Sequence, residues 1–373
     1  MLRRPHLPMA LAAGLAAGLA AAPGVADAEI LIGTAVPLVA DFQGEQILRG
    51  VEMAVADLNE AGGVLGEEVR LLSIDDNCDA EQGAAAARAL VARRVAFVAG
   101  HLCSDASLAA APIYDAAGIV MISPGSTNPR LTEGGWPHVF RVVGRDDAQG
   151  RIAAARLAGE WGGGRIAVLR ENTAYGDGLG GQTRRELARL GVAEVFSETY
   201  EAGGNDYSAL IERLAAAQPD VVYLGGNYPE IALIVRQARA RGIDARFVAG
   251  DAIATEVFLE IAGAAGEGTA FTFFPDPRLD PANDGLARRF REAGFEPEGY
   301  TFFAYAAVQV WARAAEQAGA TEAGAVAAAL HAGPFDTVLG TIGFDARGDL
   351  TDNAFIWYVW TGGGYRPESQ GRR

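Results

Sequence analysis

The sequence predicts an α/β protein built as two doubly wound parallel-sheet lobes joined by a multi-strand hinge. Three observations predict it. Apolar runs of strand length alternate with amphipathic helices almost without interruption, the pattern of repeated βαβ units. The alternation falls into two series of similar length. Breaks between the series leave the chain to return after the second, so it crosses the junction more than once and allows hinged closure.

The first series opens with a β-rich run at 29–36. Val51, Ala54, Val55 and Leu58 sit at helical spacing, which makes 46–58 a helix that Gly62 and Gly63 stop. Strand, helix and strand follow at 69–74, 80–93 and 95–99, then a helix at 105–117 and a strand at 119–122. The second series reads helix 148–161, strand 165–169, helix 179–190, strand 193–197, helix 207–217, strand 221–224, helix 230–241 and strand 247–249. Breaks lie near 143–147 and near 273–280, the latter carrying Pro275 and Pro277. Beyond them come helical stretches at 283–293 and 300–318, then β-rich runs at 341–344 and 354–360. On this reading 29–145 and 276–353 form lobe one, and 146–275 and 354–373 form lobe two.

The 373 residues carry a formal charge of −16, and all 31 cations are arginine. An acidic chain excludes nucleic acid and an anionic membrane surface as partners, because both reward a basic face. Arg3 and Arg4, the apolar stretch at 7–22, the break at Pro23-Gly24 and the Ala26-Asp27-Ala28 pattern give residues 1–28 the layout of a secretory signal peptide cleaved after Ala28. The expected location is therefore the periplasm. Export places Cys78 and Cys103 in an oxidising space, at the ends of what should be neighbouring strands. A bridge there is expected, worth about 3 kcal/mol in the chain-entropy account; the alternative is two free, buried thiols.

Enzyme signatures are missing. The sequence holds no G-x-S-x-G and no H-E-x-x-H. His101, His138 and His331 are scattered, so no metal set and no cofactor are expected. Gly176 to Gly181 matches G-x-G-x-x-G, but the residues from Arg170 to Tyr175 separate it from the preceding strand, and Asp177 would set a carboxylate against a pyrophosphate. It reads as loop and helix-start glycine. The informative segments are strand ends: Gly100-His101-Leu102-Cys103-Ser104-Asp105, and Met121-Ile122-Ser123-Pro124-Gly125-Ser126-Thr127-Asn128-Pro129. In an open parallel sheet ligands bind outside the carboxyl ends of strands. Two hydroxyl-bearing loops at adjacent ends point to a carboxylate site.

Those segments, with Tyr175-Gly176-Asp177-Gly178, the run from Leu224 to Glu230 and that from Tyr305 to Gln309, resemble the periplasmic leucine/isoleucine/valine-binding proteins of branched-chain amino acid ABC importers. The resemblance implies a type I periplasmic binding protein fold and a non-enzymatic, monomeric receptor that hands an aliphatic amino acid to membrane permease subunits. It matches the single disulfide. It implies that Ser104 and Thr127, with Ser126 and backbone groups near Leu102 and Gly125, take the ligand carboxylate, and that Tyr175 closes over it. Asp251 falls where the family has an acid for the α-ammonium, Phe42 where it has an aromatic, and Tyr300 would line the apolar end. Two departures stand out. Asp251 replaces a glutamate, shortening the reach by about 1.5 Å, and Asn227 replaces a tyrosine. They raise the alternative of an amide, a urea-like compound or another amino acid as ligand. A secreted hydrolase using Ser104 or Ser123 is a third reading, with His101 as its nearest base.

Overall fold

The structure, a computed structural model, describes residues 29–39, 41–352 and 354–368. The expected leader and its cleavage point lie outside them. The chain begins with β1 (Glu29–Val36), α1 (Phe42–Glu60), β2 (Glu68–Asp75), α2 (Ala80–Ala92), β3 (Phe97–Gly100), α3 (Ser104–Ala116), β4 (Val120–Ser123), the short α4 (Arg130–Glu133) and β5 (Val139–Arg141). These strands form one parallel sheet in the order β2-β1-β3-β4-β5. Helices cover both faces, so β3 and β4 are buried at every position and show no alternation. Helix α1 starts a turn earlier than its apolar spacing predicts. The Asp41 side chain accepts from Gln43 N at 2.8 Å and Gly44 N at 3.0 Å, and this cap extends the helix over residues without apolar periodicity.

The second series gives α5 (Asp146–Trp161), β6 (Ile166–Glu171), α6 (Ala174–Arg189), β7 (Phe196–Tyr200), α7 (Ser208–Ala216), β8 (Val221–Gly225), α8 (Tyr228–Ala240), β9 (Arg246–Ala249), α9 (Val257–Ala262) and β10 (Ala270–Phe273). The chain then forms α10 (Asp284–Glu292), α11 (Thr301–Ala318), α12 (Ala323–Ala332), a separate hairpin of β11 (Phe335–Thr337) and β12 (Gly340–Ile342), and finally β13 (Ile356–Thr361) and β14 (Gly364–Pro367). The second sheet runs β14-β13-β10-β9-β8-β6-β7, with β13 and β14 antiparallel at its edge. Helix α11 packs instead on the first sheet, where Trp311 stacks on Phe97 with ring centres 4.8 Å apart. The strand expected at 341–344 joins neither large sheet: its first part pairs in the hairpin, and Phe344 bridges Leu350.

The glycine run sits inside α6. A Cβ on Gly176 would lie 2.9 Å from Gly225 O, and one on Gly225 would lie 3.0 Å from Gly180 N. These glycines let α6 press onto β8, a packing role that explains the motif without any phosphate.

A buried ion cluster stitches the hinge. Fully buried Arg141, at the end of β5, pairs its Nε with Asp349 Oδ1 at 2.7 Å and donates to Ser126 O at 2.9 Å. Arg145 reaches Asp349 Oδ2 at 2.8 Å and Asp147 Oδ1 at 3.0 Å. Asp349 also accepts from Thr132 Oγ1 at 2.9 Å. One carboxylate from the returning segment thus holds two guanidinium groups from the outgoing one. Asp349→Ala would leave the buried Arg141 guanidinium without a carboxylate, while Arg145 keeps Asp147 and Glu133, and should destabilise the protein by about 3–5 kcal/mol, read as a lower denaturant midpoint at unchanged slope.

Candidate functional site

The carboxyl ends of both sheets face one cavity of about 540 Å³. On the first sheet its wall is built by the turn from β3 into α3. The disulfide between Cys78 and Cys103 ties this turn to the one after β2, with Cα atoms 5.1 Å apart. Beneath it, His101 Nδ1 meets Asp76 Oδ2 at 2.6 Å and His101 Nε2 meets Tyr114 O–H at 3.2 Å, all three side chains being buried. The turn after β4 is pinned to the same segment: Ser123 Oγ donates to His101 O at 2.8 Å and Ser126 Oγ to Leu102 O at 2.8 Å. A Cβ on Gly125 would lie 2.7 Å from Leu102 Cδ1 and 3.3 Å from Leu102 Cα and O, so a larger residue there would displace the Leu102 side chain from the cavity wall.

These bonds sort the sequence candidates. Leu102, Ser104 and Gly125 line the cavity. Ser104 Oγ is buried without a hydrogen-bond partner. It opens α3, where the amides of Ser104, Asp105 and Ala106 precede the first helical bond, Ser107 N to Cys103 O. Such a helix start favours an anion. Ser126 does not fit the expected role, because its hydroxyl is committed to Leu102 O and to Ser107 Oγ, 2.6 Å away. Thr127 is 1% exposed and is not among the residues lining the cavity; its hydroxyl makes no bond of normal geometry and lies beside the Asp146 carboxyl. Burial and then the charge of Asp251 push the Asp146 carboxyl well above the usual carboxylate range.

The opposite wall centres on Asp251, just past β9 and 1% exposed. Tyr175 O–H donates to its Oδ1 at 2.7 Å and Tyr300 O–H to its Oδ2 at 2.6 Å. Tyr175 stands in the first turn of α6, whose cap is Thr173, accepting from Gly176 N at 3.0 Å. Tyr300 caps α11, on the first-sheet side. Burial raises the Asp251 carboxyl above its ordinary value and the two phenols oppose that. Further bonds bring the two sides together: Asn128 Nδ2 to Ala174 O at 2.7 Å, Ala174 N to Asp105 Oδ2 at 2.9 Å, and Gln43 Nε2 to Ala252 O at 2.9 Å.

Phe42 is a correction. It and Gln43 are successive residues in the first turn of α1, about 100° apart around the helix. Gln43 lines the cavity, whereas the Phe42 ring packs on Phe295 with centres 5.9 Å apart. Asn227 does line the cavity, and its Nδ2 donates to Glu171 Oε2 at 2.6 Å. Glu171 escaped the sequence reading, as did Glu230. The signal was a polar residue closing the apolar run of β6, at the strand end where ligand groups gather. Burial, and next the Glu230 charge, push Glu171 up to about 8. The lining carries Asp41, Asp79, Asp105, Glu171, Glu230 and Asp251, and no arginine.

The hydrolase reading fails on this geometry. Both imidazole nitrogens of His101 are taken by Asp76 and Tyr114, and Ser123 donates to the backbone of His101 rather than to its ring.

Two α/β lobes around a polar cleft, with the chain passing repeatedly between them, define a type I periplasmic binding protein. A family profile described as "Periplasmic binding protein" matches residues 29–364. A Leu/Ile/Val-binding protein homolog of Brucella abortus is 44% identical over 343 residues, covering 91% of this chain and 92% of the relative. The leucine-, isoleucine-, valine-, threonine- and alanine-binding protein of Pseudomonas aeruginosa is 36% identical, covering 85% of each. The crystal structure of a leucine binding protein from Thermotoga maritima superposes with a TM-score of 0.82 at 30% identity, over 91% of this chain and 98% of that one. The chain belongs to the Leu/Ile/Val-binding family of substrate-binding proteins of branched-chain amino acid ABC transporters. It is a binding protein and not an enzyme.

Glu171 makes stability depend on pH with a definite sign. Its folded-state pKa, about 8, lies above the ordinary value of 4.5. The stabilisation is fully present below the ordinary value and is lost as pH rises through the folded one. Between pH 6 and pH 9 the protein should lose more than ~1 kcal/mol, since a tenfold change in proton concentration is worth ~1.4 kcal/mol for each proton held. Urea unfolding of Glu171→Gln should show a clearly smaller loss over the same interval.

Proposed function

We propose that this protein is an exported receptor that captures a free amino acid between its lobes and delivers it to the permease subunits of an ABC importer. One observation carries the reading. The unpartnered Ser104 hydroxyl at the start of α3 faces, across a single cavity, a buried carboxylate at Asp251. A zwitterion leaving water needs charge-assisted bonds at both ends, worth about 1.5–3 kcal/mol each. Ser104 and the first amides of α3 receive the carboxylate, with backbone groups near Leu102 and Gly125 in support. Asp251, steadied by Tyr175 and Tyr300, receives the α-ammonium.

Lobe one comprises 29–145 and 276–353, lobe two 146–275 and 354–373, and the ligand is sealed when they meet. The closed form is what a permease recognises. Cleavage after Ala28 releases the chain, as a monomer, into the periplasm. The names of the relatives support an aliphatic ligand such as leucine, isoleucine or valine. A second reading, a ligand with a polar side chain, is favoured by the lining, in which Leu102 is the one branched aliphatic residue.

The test is calorimetry and thermal shift with a panel of amino acids and amides. A bound ligand at 100 times its Kd should add about 2.7 kcal/mol of stability. Asp251→Ala should weaken amino-acid binding at least tenfold while circular dichroism stays that of the parent. Undiminished affinity would remove Asp251 from the ammonium site, and a response confined to amides would reject the zwitterion.

A further inference from the structure

The cavity extends past Asp251 along the wall made by β6 and the starts of α6 and α8. Glu171 ends β6 and is fully buried. Its Oε2 accepts from Thr173 Oγ1 at 3.1 Å, from Asn227 Nδ2 at 2.6 Å and from Asn227 N at 3.3 Å. Its Oε1 has no partner, although the residue lines the cavity. Glu230 lines the same wall, 8% exposed, with Oε1 accepting from Gly203 N at 2.8 Å. Gln43 faces the cavity from the other lobe.

A leucine or valine side chain laid here would cover Glu171 Oε1 and leave a buried acceptor unpaired, which costs about 1–3 kcal/mol. An N–H group would satisfy it in the ionised form, which burial and the Glu230 charge oppose and a cationic side chain would favour by offsetting that charge. We infer that the wall around Glu171 is a side-chain subsite for an amino acid whose side chain ends in an N–H donor: an ammonium, a guanidinium or a carboxamide. This rests on the amino-acid reading above and narrows it. Sites built to hydrogen-bond a ligand reject analogues that lack the group more strongly than apolar pockets reject a missing methylene.

The experiment is isothermal titration calorimetry of the protein with arginine, lysine, glutamine, leucine and alanine. At least one of the first three should bind tenfold or more tightly than leucine, and the winner separates a cationic from a carboxamide preference. Asn227→Leu removes the amide that holds Glu171 at a position only half buried. It should shift the ratio of that winner to leucine at least tenfold toward leucine. Glu171→Gln should cut the advantage of a cationic winner over alanine by a similar factor, with melting curves establishing that each variant is folded. Leucine binding as tightly as all three donors, or folded variants that leave the ratios unmoved, would overturn the subsite while the zwitterion site stands. Failure of all five, alanine included, would overturn the amino-acid reading and the subsite with it.

Discussion

The carboxylate of Asp251 is the point at which the two halves of this molecule meet. It sits past β9 of the second sheet, and its oxygens are held by phenols of different origin: Tyr175 from the second lobe and Tyr300 from the cap of α11, which packs on the first sheet. A buried carboxylate without such partners would cost several kcal/mol. The arrangement of the cleft follows from this requirement. The turn carrying Tyr175 must approach β9, which the glycines of α6 permit. The return of the chain to the first sheet must place Tyr300 opposite.

The rest of the site is a problem of pinning loops. Parallel strands leave their carboxyl ends ragged, and the residues there need partners from outside the ladder. The first lobe supplies them with the Cys78–Cys103 bridge, the Asp76–His101–Tyr114 chain and the hydroxyls of Ser123 and Ser126. Arg141 extends the same scaffold to the hinge by gripping Ser126 O and Asp349 together. Ser104 remains outside this network, with its hydroxyl unpartnered. The polar groups divide into those that hold the turn and those that face the cavity, and residue type alone does not separate them. Ser126 and Ser104 are both buried serines next to strand ends, yet only one is uncommitted.

Legibility in the sequence followed the strength of the local signal. Strands buried on both faces announce themselves as apolar runs, and their helices by apolar spacing, so eight of the strands β1 to β10 could be read in order, while the short β5 and β10 were not. Helix α1 began early because Asp41 caps it, a contribution that carries no periodicity. The β-rich run at 341–344 overlaps β12, and its three-residue partner β11 was not read. At the site, Leu102, Ser104, Gly125, Tyr175, Asn227, Asp251 and Tyr300 all line the cavity. Phe42 was displaced by Gln43 because a one-residue step on a helix turns the side chain by about 100°. Glu171 and Glu230 went unnoticed because a glutamate ending a strand or starting a helix has an ordinary local explanation.

The sequence by itself determined the class of protein. Alternating apolar runs require parallel sheets with helices on both faces, parallel sheets place loops at one end, and the loop residues carry the family's motifs. Tertiary structure alone decided which of those residues face one another. Tyr300 and Asp251, 49 positions apart, meet at 2.6 Å, and Asn227 and Glu171, 56 apart, meet at the same distance. The raised pKa of Glu171 arises from burial and the neighbouring charge of Glu230, neither of which is a property of the local chain. Sequence patterns report the periodicity with which a segment meets a core. Electrostatics at a cleft depends on distances between segments, and those exist only once the two lobes are folded and set against each other.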